Sequence, residues 1–178
     1  YQYRLRATGA GGCQATSVPV TLQILVPNLS IAQGMGCVGD TISVAVAITD
    51  APNLGAISLA LNYDAQAIQF VGFSNVDNQI SSNVIVNAPS PGGTVILSWY
   101  NLIPASINGA LITYRFRMLN QTGSSLSWDQ SIVELADIDA NVVGALSYSD
   151  GSINSSPTPN FIGSGISGNT NLPVGGST

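Results

Sequence analysis

Hydrophobic and polar positions alternate with a period of two through most of this chain. Tyr1, Tyr3, Leu5 and Ala7 fall on one side, and Gln2, Arg4, Arg6 and Thr8 on the other, as a half-buried strand requires. Gly9-Ala10-Gly11-Gly12 breaks the run with a turn signal, after which Val18, Val20, Leu22, Ile24 and Val26 alternate again. The two runs predict a β-hairpin that ends at Pro27-Asn28. Beyond it, Ile42, Val44, Val46 and Ile48 alternate with Thr41, Ser43, Ala45 and Ala47, and Ile57, Leu59, Leu61 and Tyr63 repeat the pattern. Further strand-like runs cover 67–73, 84–86, 95–99, 111–118, 132–135 and 142–148. Breakers such as Asp50-Ala51-Pro52-Asn53 and Pro89-Ser90-Pro91-Gly92-Gly93 stand between them. About nine short strands separated by turn signals are the pattern of a β-sandwich. No segment sustains the 3.6-residue period of an amphipathic helix.

Three zones follow from this texture. Residues 1–37 form an N-terminal hairpin or strand extension, and residues 38–154 a self-contained sandwich. Residues 155–178 are rich in Gly, Ser and Asn, the composition of a linker or tail. A chain of this length buries about 70% of its unfolded surface, so the core needs no metal or covalent staple. No leader pattern precedes Tyr1, so the chain reads as a mature or excised piece of something longer.

Composition narrows the chemistry sharply. The 178 residues contain no histidine and no lysine, and only 7% are charged. The commonest general base and metal ligand is therefore missing, and so is the side chain of Schiff-base catalysis. Ser-His-Asp and Cys-His arrangements are impossible. The only cations are Arg4, Arg6, Arg115 and Arg117, and net charge is −5. No basic stripe exists to neutralise a nucleic-acid backbone. No apolar run approaches the roughly 20 residues needed to cross a bilayer. The expectation is a non-catalytic, extracellular or cell-surface module that binds no nucleic acid and inserts in no membrane.

A few residues still invite a chemical reading. Asp137, Asp139 and Asp150, with Asp40 and the amide of Asn141, offer hard oxygen ligands of the kind calcium takes; a solvated turn is the plainer alternative. Glu134 is the only glutamate, and nothing marks a sugar cleft around it, so it reads as a strand-edge charge. Trp99, Tyr100 and Trp128 could form an aromatic platform, although Trp99 sits on an alternating strand and reads as core, while Trp128 follows a Gly-Ser-Ser turn and could be exposed. Asn28, Asn120 and Asn154 begin N-glycosylation triplets. Two cysteines, Cys13 and Cys37, in a charge-poor chain rich in Ser, Thr and Asn favour a disulfide; the alternative is two unrelated buried thiols.

Four stretches resemble a known family. Val38-Gly39-Asp40-Thr41-Ile42-Ser43-Val44 is similar to the opening "GDTVTV" of cohesin modules from bacterial scaffoldins. Leu61-Asn62-Tyr63-Asp64 with Ala67-Ile68-Gln69-Phe70-Val71 resembles the cohesin run "LSYDPxVLEFV". Asn108-Gly109-Ala110-Leu111-Ile112 through Phe116 resembles the strand "GVFATITFKV". Ala136-Asp137-Ile138-Asp139-Ala140-Asn141-Val142-Val143, followed by Ser149-Asp150-Gly151-Ser152-Ile153, resembles the closing "ADxDGNxV…DGSI". The implied fold is a nine-stranded jelly-roll sandwich over residues 38–154, and the implied partner is a dockerin bound on one sheet face.

Residues 1–37 resemble something else. Tyr1-Gln2-Tyr3-Arg4-Leu5 with Gly12-Cys13-Gln14-Ala15-Thr16-Ser17 is similar to the last two strands of Ig-like repeats in Bacteroidota surface proteins, and Cys37-Val38-Gly39 fits the early "CxG" element of such repeats. The resemblance implies that each cysteine lacks its usual partner. Cys13–Cys37 is then the simplest internal bond, contributing about 3 kcal/mol through loop closure; a bond between Cys13 of one molecule and Cys37 of the next is the alternative. Asp40-Thr41-Ile42 resembles the Bacteroidota O-glycosylation motif at Thr41. A hairpin ahead of a complete sandwich must cover its apolar face, and strand addition to a neighbour through Tyr1, Tyr3, Leu5, Val18, Val20, Leu22 and Ile24 would build filaments. The leading expectation is therefore a subunit or repeat of a surface fibre or adhesin, with a dockerin-binding module as the alternative.

Overall fold

The computed structural model describes residues 2–21, 26–89 and 92–156. Among them every regular element is a strand. Short strands come first: β1 (Gln2–Tyr3), β2 (Arg6–Thr8), β3 (Gln14–Thr16), β4 (Val20–Thr21), β5 (Asn28–Ile31) and β6 (Gln33–Gly36). The body is built on β7 (Thr41–Tyr63), β8 (Ile68–Ser74), β9 (Ile85–Asn87) and β10 (Thr94–Met118). It closes with β11 (Ser124–Trp128), β12 (Glu134–Asp137), β13 (Ser147–Ser149) and β14 (Gly151–Ser155).

The fold hangs on two long strands that pair antiparallel along their whole lengths. Thr94–Tyr100 of β10 opposes Ala56–Asn62 of β7, and Gly109–Arg117 opposes Thr41–Ile48. Three register shifts between Tyr100 and Gly109 mark the bend where both strands pass from one layer to the other. Asp50 and Asn53 take positive φ at the same bend in β7. Asx residues tolerate that conformation best after glycine. One layer then runs β13, β5, the first half of β7, the second half of β10, and β8. The other runs β9, the first half of β10, the second half of β7, then β11 and β12 side by side on one edge, with β14 and β6 beyond β11.

Alternation puts the inner faces together. Val44, Val46 and Ile48 meet Ile57, Leu59 and Leu61, and Leu97, Trp99, Tyr114 and Phe116 complete the centre, all buried. The expected all-β jelly-roll sandwich is what the chain forms. The Trp99 indole N–H donates to the Ser82 carbonyl oxygen at 3.0 Å, so its polar edge is satisfied inside the core. Tyr63, Phe70 and Tyr114 pack edge-on around Phe116. Burial pushes the Tyr114 phenol above its ordinary range.

Three elements depart from the sequence-based expectation. Asn28–Gly36, expected in the N-terminal extension, belongs to the sandwich, because β5 and β6 pair with β7, β13 and β14. Gly34 and Gly36 hide the alternation there: a Cβ on Gly34 would lie 2.6 Å from Ile42 Cγ2, so the close approach demands a residue with nothing to show in a hydrophobic pattern. Ser124–Trp128 forms β11, where no strand was expected. Residues 142–146, expected as strand, contribute one bridge, Ala136 to Val142.

The N-terminal strands pair as an interrupted hairpin in which Gln14–Thr16, outside the expected second run, supplies part of the return strand. Gln2 and Tyr3 pair with Thr21 and Val20, and Arg6–Thr8 pair with Gln14–Thr16. Between them Pro19, which has no N–H to give, coincides with the break, and the Ser17 N–H donates to the Leu5 carbonyl oxygen at 2.9 Å. Among the described residues these four strands pair only with one another.

Candidate functional site

Cross-strand rows place small side chains in the middle of the outer face of the second layer. One row reads Ile85, Ser98, Ser58, Glu134 from β9 to β12; the next reads Tyr100, Ala56, Ala136. The alternation that buries Ile57, Leu59, Leu97 and Trp99 turns these neighbours outward. Large apolar groups border the small ones. Tyr100 is 71% exposed, Leu102 87%, Ile103 73% and Ile85 63%. Leu102 and Ile103 sit in the bend of β10, where the Asn101 side-chain oxygen accepts the Ile103 N–H at 3.2 Å. That Asx turn fixes a tight bend with its apolar residues at the surface. Exposed apolar groups that lie together are the kind of feature on which protein interaction surfaces are built.

Charge is scarce on this face. Glu134 lies opposite Ser58, with no second carboxylate in its row, so the pair that glycoside hydrolysis needs is not assembled here. Asp129 engages its own turn: the Ser131 hydroxyl donates to it at 2.6 Å and the Ser131 N–H at 3.1 Å. These bonds, the hydroxyl first, hold its carboxyl below the ordinary carboxylate range.

The residues expected to bind calcium do not converge. Asp137 Oδ1 accepts the N–H groups of Asp139 at 2.9 Å and Asn141 at 2.8 Å, and Oδ2 takes the Asn141 amide at 2.9 Å. The Asn141 side chain, then its N–H, pull the Asp137 carboxyl below its ordinary range. Its lone pairs therefore close the 137–141 turn. Asp150 accepts the Trp128 N–H at 3.2 Å, and Asp40 the Cys37 N–H at 2.8 Å. Among the described residues no three His, Cys, Asp or Glu side chains gather in a metal-holding group.

Other expected residues scatter. Trp99 is core, as read; Trp128 is buried too, its indole N–H donating to the Ser149 carbonyl oxygen at 3.4 Å. Only Tyr100 of the three aromatics faces water, so no aromatic platform forms. Cys13 and Cys37 are both exposed and not bonded to each other, so the expected internal disulfide is not formed in this structure and neither thiol is buried. Cys13 sits at the hairpin turn, where its carbonyl oxygen accepts the Gly9 N–H at 2.8 Å, and Cys37 opens the turn before β7, its carbonyl oxygen accepting the Asp40 N–H at 3.0 Å. Leu5, Val18 and Val20 are exposed, and Tyr3 pairs with Val20. Tyr1, Leu22, Ile24 and the tail over 157–178 lie outside the described residues. Thr41 and Asn154 are exposed and Asn28 partly so. The Asn120 amide donates to the Gln66 carbonyl oxygen at 2.8 Å. Ile85, Leu102 and Ile103 were not singled out from the sequence; the apolar pair before Pro104, standing where alternation stops, was the available signal.

Comparison with known proteins fits this architecture. The cohesin domain family model matches residues 27–155, which begins at Pro27 just before β5. Among curated proteins none matches. A cohesin of Clostridium acetobutylicum, solved in complex with a dockerin variant, superposes with a TM-score of 0.65 at 24% identity, covering 74% of this chain and 100% of its own. The third ScaC cohesin of Acetivibrio cellulolyticus, solved with a ScaB dockerin, gives 0.67 at 16% identity over 74% and 100% of the two chains. A non-cellulosomal cohesin from the hyperthermophilic archaeon Archaeoglobus fulgidus gives 0.61 at 20%, over 74% and 92%. With the family model spanning the whole sandwich, this chain belongs to the cohesin family.

Proposed function

We propose that the chain is a non-catalytic recognition module that holds a dockerin-type protein against the outer face of β9, β10, β7 and β12. The observation that carries this reading is the exposed apolar group of Tyr100, Leu102, Ile103 and Ile85 beside a floor of Ala and Ser side chains. Cohesins of the same fold have been solved with dockerins bound, which supports the class of partner. A floor without long charged side chains costs little to desolvate, and rigid aromatic and aliphatic anchors at its margin are the residues that dominate binding energy. We place the module outside the cell, on its composition and family. The leading sequence-based expectation, a fibre subunit, finds no support in these comparisons, which favour the binding alternative.

Titration of the full chain against a panel of dockerins by calorimetry tests the proposal. At least one dockerin is expected to bind at nanomolar to micromolar strength. The variant Tyr100→Asp with Leu102→Asp is expected to weaken that complex by about 30-fold or more, as loss of anchors worth about 2 kcal/mol or more implies, with an unchanged melting temperature. Binding to no dockerin, or binding indifferent to these substitutions, overturns the reading.

A further inference from the structure

β8 ends its layer. Among the described residues it pairs with β10 and with no other strand, which leaves one edge of Ile68–Ser74 open. An open edge presents unpaired N–H and C=O groups to any extended segment that reaches it. No charge on β8 itself blunts this edge, and Val71 and Phe73 are exposed along it. The neighbouring strand supplies the charge. Arg115 and Arg117 of β10 are exposed, and they are the only cations from residue 7 to residue 178. Their cross-strand rows read Ser43, Arg115, Gly72 and Thr41, Arg117, Gln69, with no carboxylate in either. The two carboxylates that flank β8 in sequence close their own turns: Asp64 Oδ1 accepts the Gln66 N–H and Asp77 Oδ1 the Gln79 N–H, each at 2.8 Å. Gly72 is what lets Arg115 reach across β8. It holds φ 145°, the register shifts beside it, and a Cβ there would stand 3.1 Å from Arg115 Nη2. The guanidinium therefore lies over Gly72, about one strand spacing of 4.8 Å from the line an added strand would follow.

We infer that the open edge of β8 receives an extended acidic segment of a partner protein as an added strand, and that Arg115 and Arg117 select carboxylates at alternate positions of it. Main-chain hydrogen bonds to β8 give the pairing, and side chains in the continued rows give the selectivity. In those rows the residues beside Gly72 and Gln69 share the outer face of the added strand, where a carboxylate meets a guanidinium in a charge-assisted bond. The residue between them turns to the side of Phe70 and Phe73 and is best apolar. The occupant is thus an alternation of acidic and apolar residues. A second copy paired through its own β8 fits poorly, because antiparallel pairing about Gly72 sets two Arg115 guanidinia side by side, and like charges in one row repel. The ends of this chain do not fit either: residues 1–39 and 151–178 contain no Asp or Glu. β8 belongs to the layer opposite the proposed dockerin face, so the two surfaces are independent.

The test is titration of a short, capped, fluorescently labelled peptide of alternating Glu and Val with the full chain at low salt, read by anisotropy, with hydrogen exchange on the complex. Saturable binding is expected, weakened by about 10-fold or more when Gln replaces Glu in the peptide or when the chain carries Arg115→Gln with Arg117→Gln. Exchange is expected to slow across Gln69–Ser74 and to stay unchanged in β9 and β12. Arg115→Glu with Arg117→Glu is expected to reverse the preference toward a peptide of alternating Lys and Val, a gain that a misfolded variant cannot give. Absence of binding, equal binding of the Glu and Gln peptides, indifference to the arginine substitutions, or protection at β9 and β12 in place of β8 each overturn the inference. So does a linear polyuronate that binds where the peptide does not, which would assign the two arginines to an acidic sugar chain. None of these outcomes depends on dockerin binding.

Discussion

Single residues in this sandwich do work that their type alone conceals. Asp137 closes its turn by accepting three N–H donors from Asp139 and Asn141, and its carboxyl titrates below the ordinary range as a result. A carboxylate with a depressed folded pKa contributes stability above its unfolded pKa, and that contribution is lost as pH falls through the folded value. Acid titration of the melting temperature is therefore expected to show a decline beginning below about pH 4. Asp137→Asn should flatten that decline and lower the melting temperature at neutral pH; an unaltered pH profile would show that the turn does not depend on the charge. Ala140, in the same turn, holds φ 63°, a conformation that strains a Cβ-bearing residue by about 1–2 kcal/mol. Ala140→Gly is expected to relieve part of it and raise the melting temperature by roughly 1–3 °C, allowing for the entropy glycine loses. Differential scanning calorimetry reads the change directly.

Elements are specified by what they touch across the sheet. β6 exists because Gly34 and Gly36 let its backbone lie against Ile42, and no period in Gln33–Gly36 announces it. Gly34→Ala should cost about 1–3 kcal/mol, as overpacking does. Gly144→Ala, with nothing within 4 Å of the added atom, should stay within about 0.5 kcal/mol. Chemical denaturation of the two variants makes the comparison; equal effects would mean that β6 is not closely packed. The centre of the sheet behaves differently. Leu59 and Leu97 are paired across the sheet in register and buried, so Leu59→Ala should cost about 2–5 kcal/mol. Their strands were legible at once, because burial on one face enforces the period-two pattern. β11 was not, because Ser124, Ser125 and Ser127 dilute its two buried apolar residues.

At the scale of the whole molecule, the division between core and surface shapes the proposed docking face. The inner faces take most of the alternating apolar residues; of the large apolar residues left outside, Ile85, Tyr100, Leu102 and Ile103 lie on β9 and at the bend of β10, while others, such as Met35 on β6 and Val71 and Phe73 on β8, lie elsewhere. A docking face that relies on apolar anchors and carries little charge should bind with weak dependence on salt, since screening acts on exposed charges and not on apolar burial. Measuring the dockerin affinity between low and high ionic strength checks this; a steep loss would assign the energy to Glu134 and Asp129 instead.

By itself the sequence determined the class of structure. Period-two alternation, punctuated by Gly, Pro, Asn and Asp, specifies strands, and burying one face of each strand calls for packed sheets around one core. The absence of histidine and lysine likewise removed most routes to catalysis without a coordinate. Tertiary structure alone decided that β7 and β10 run unbroken through both layers, that Asn28–Gly36 joins the sandwich, and that Ile85 meets Ser98, Ser58 and Glu134 in one row. Those facts depend on register between segments tens of residues apart, and register is set by cross-strand packing that no local pattern encodes.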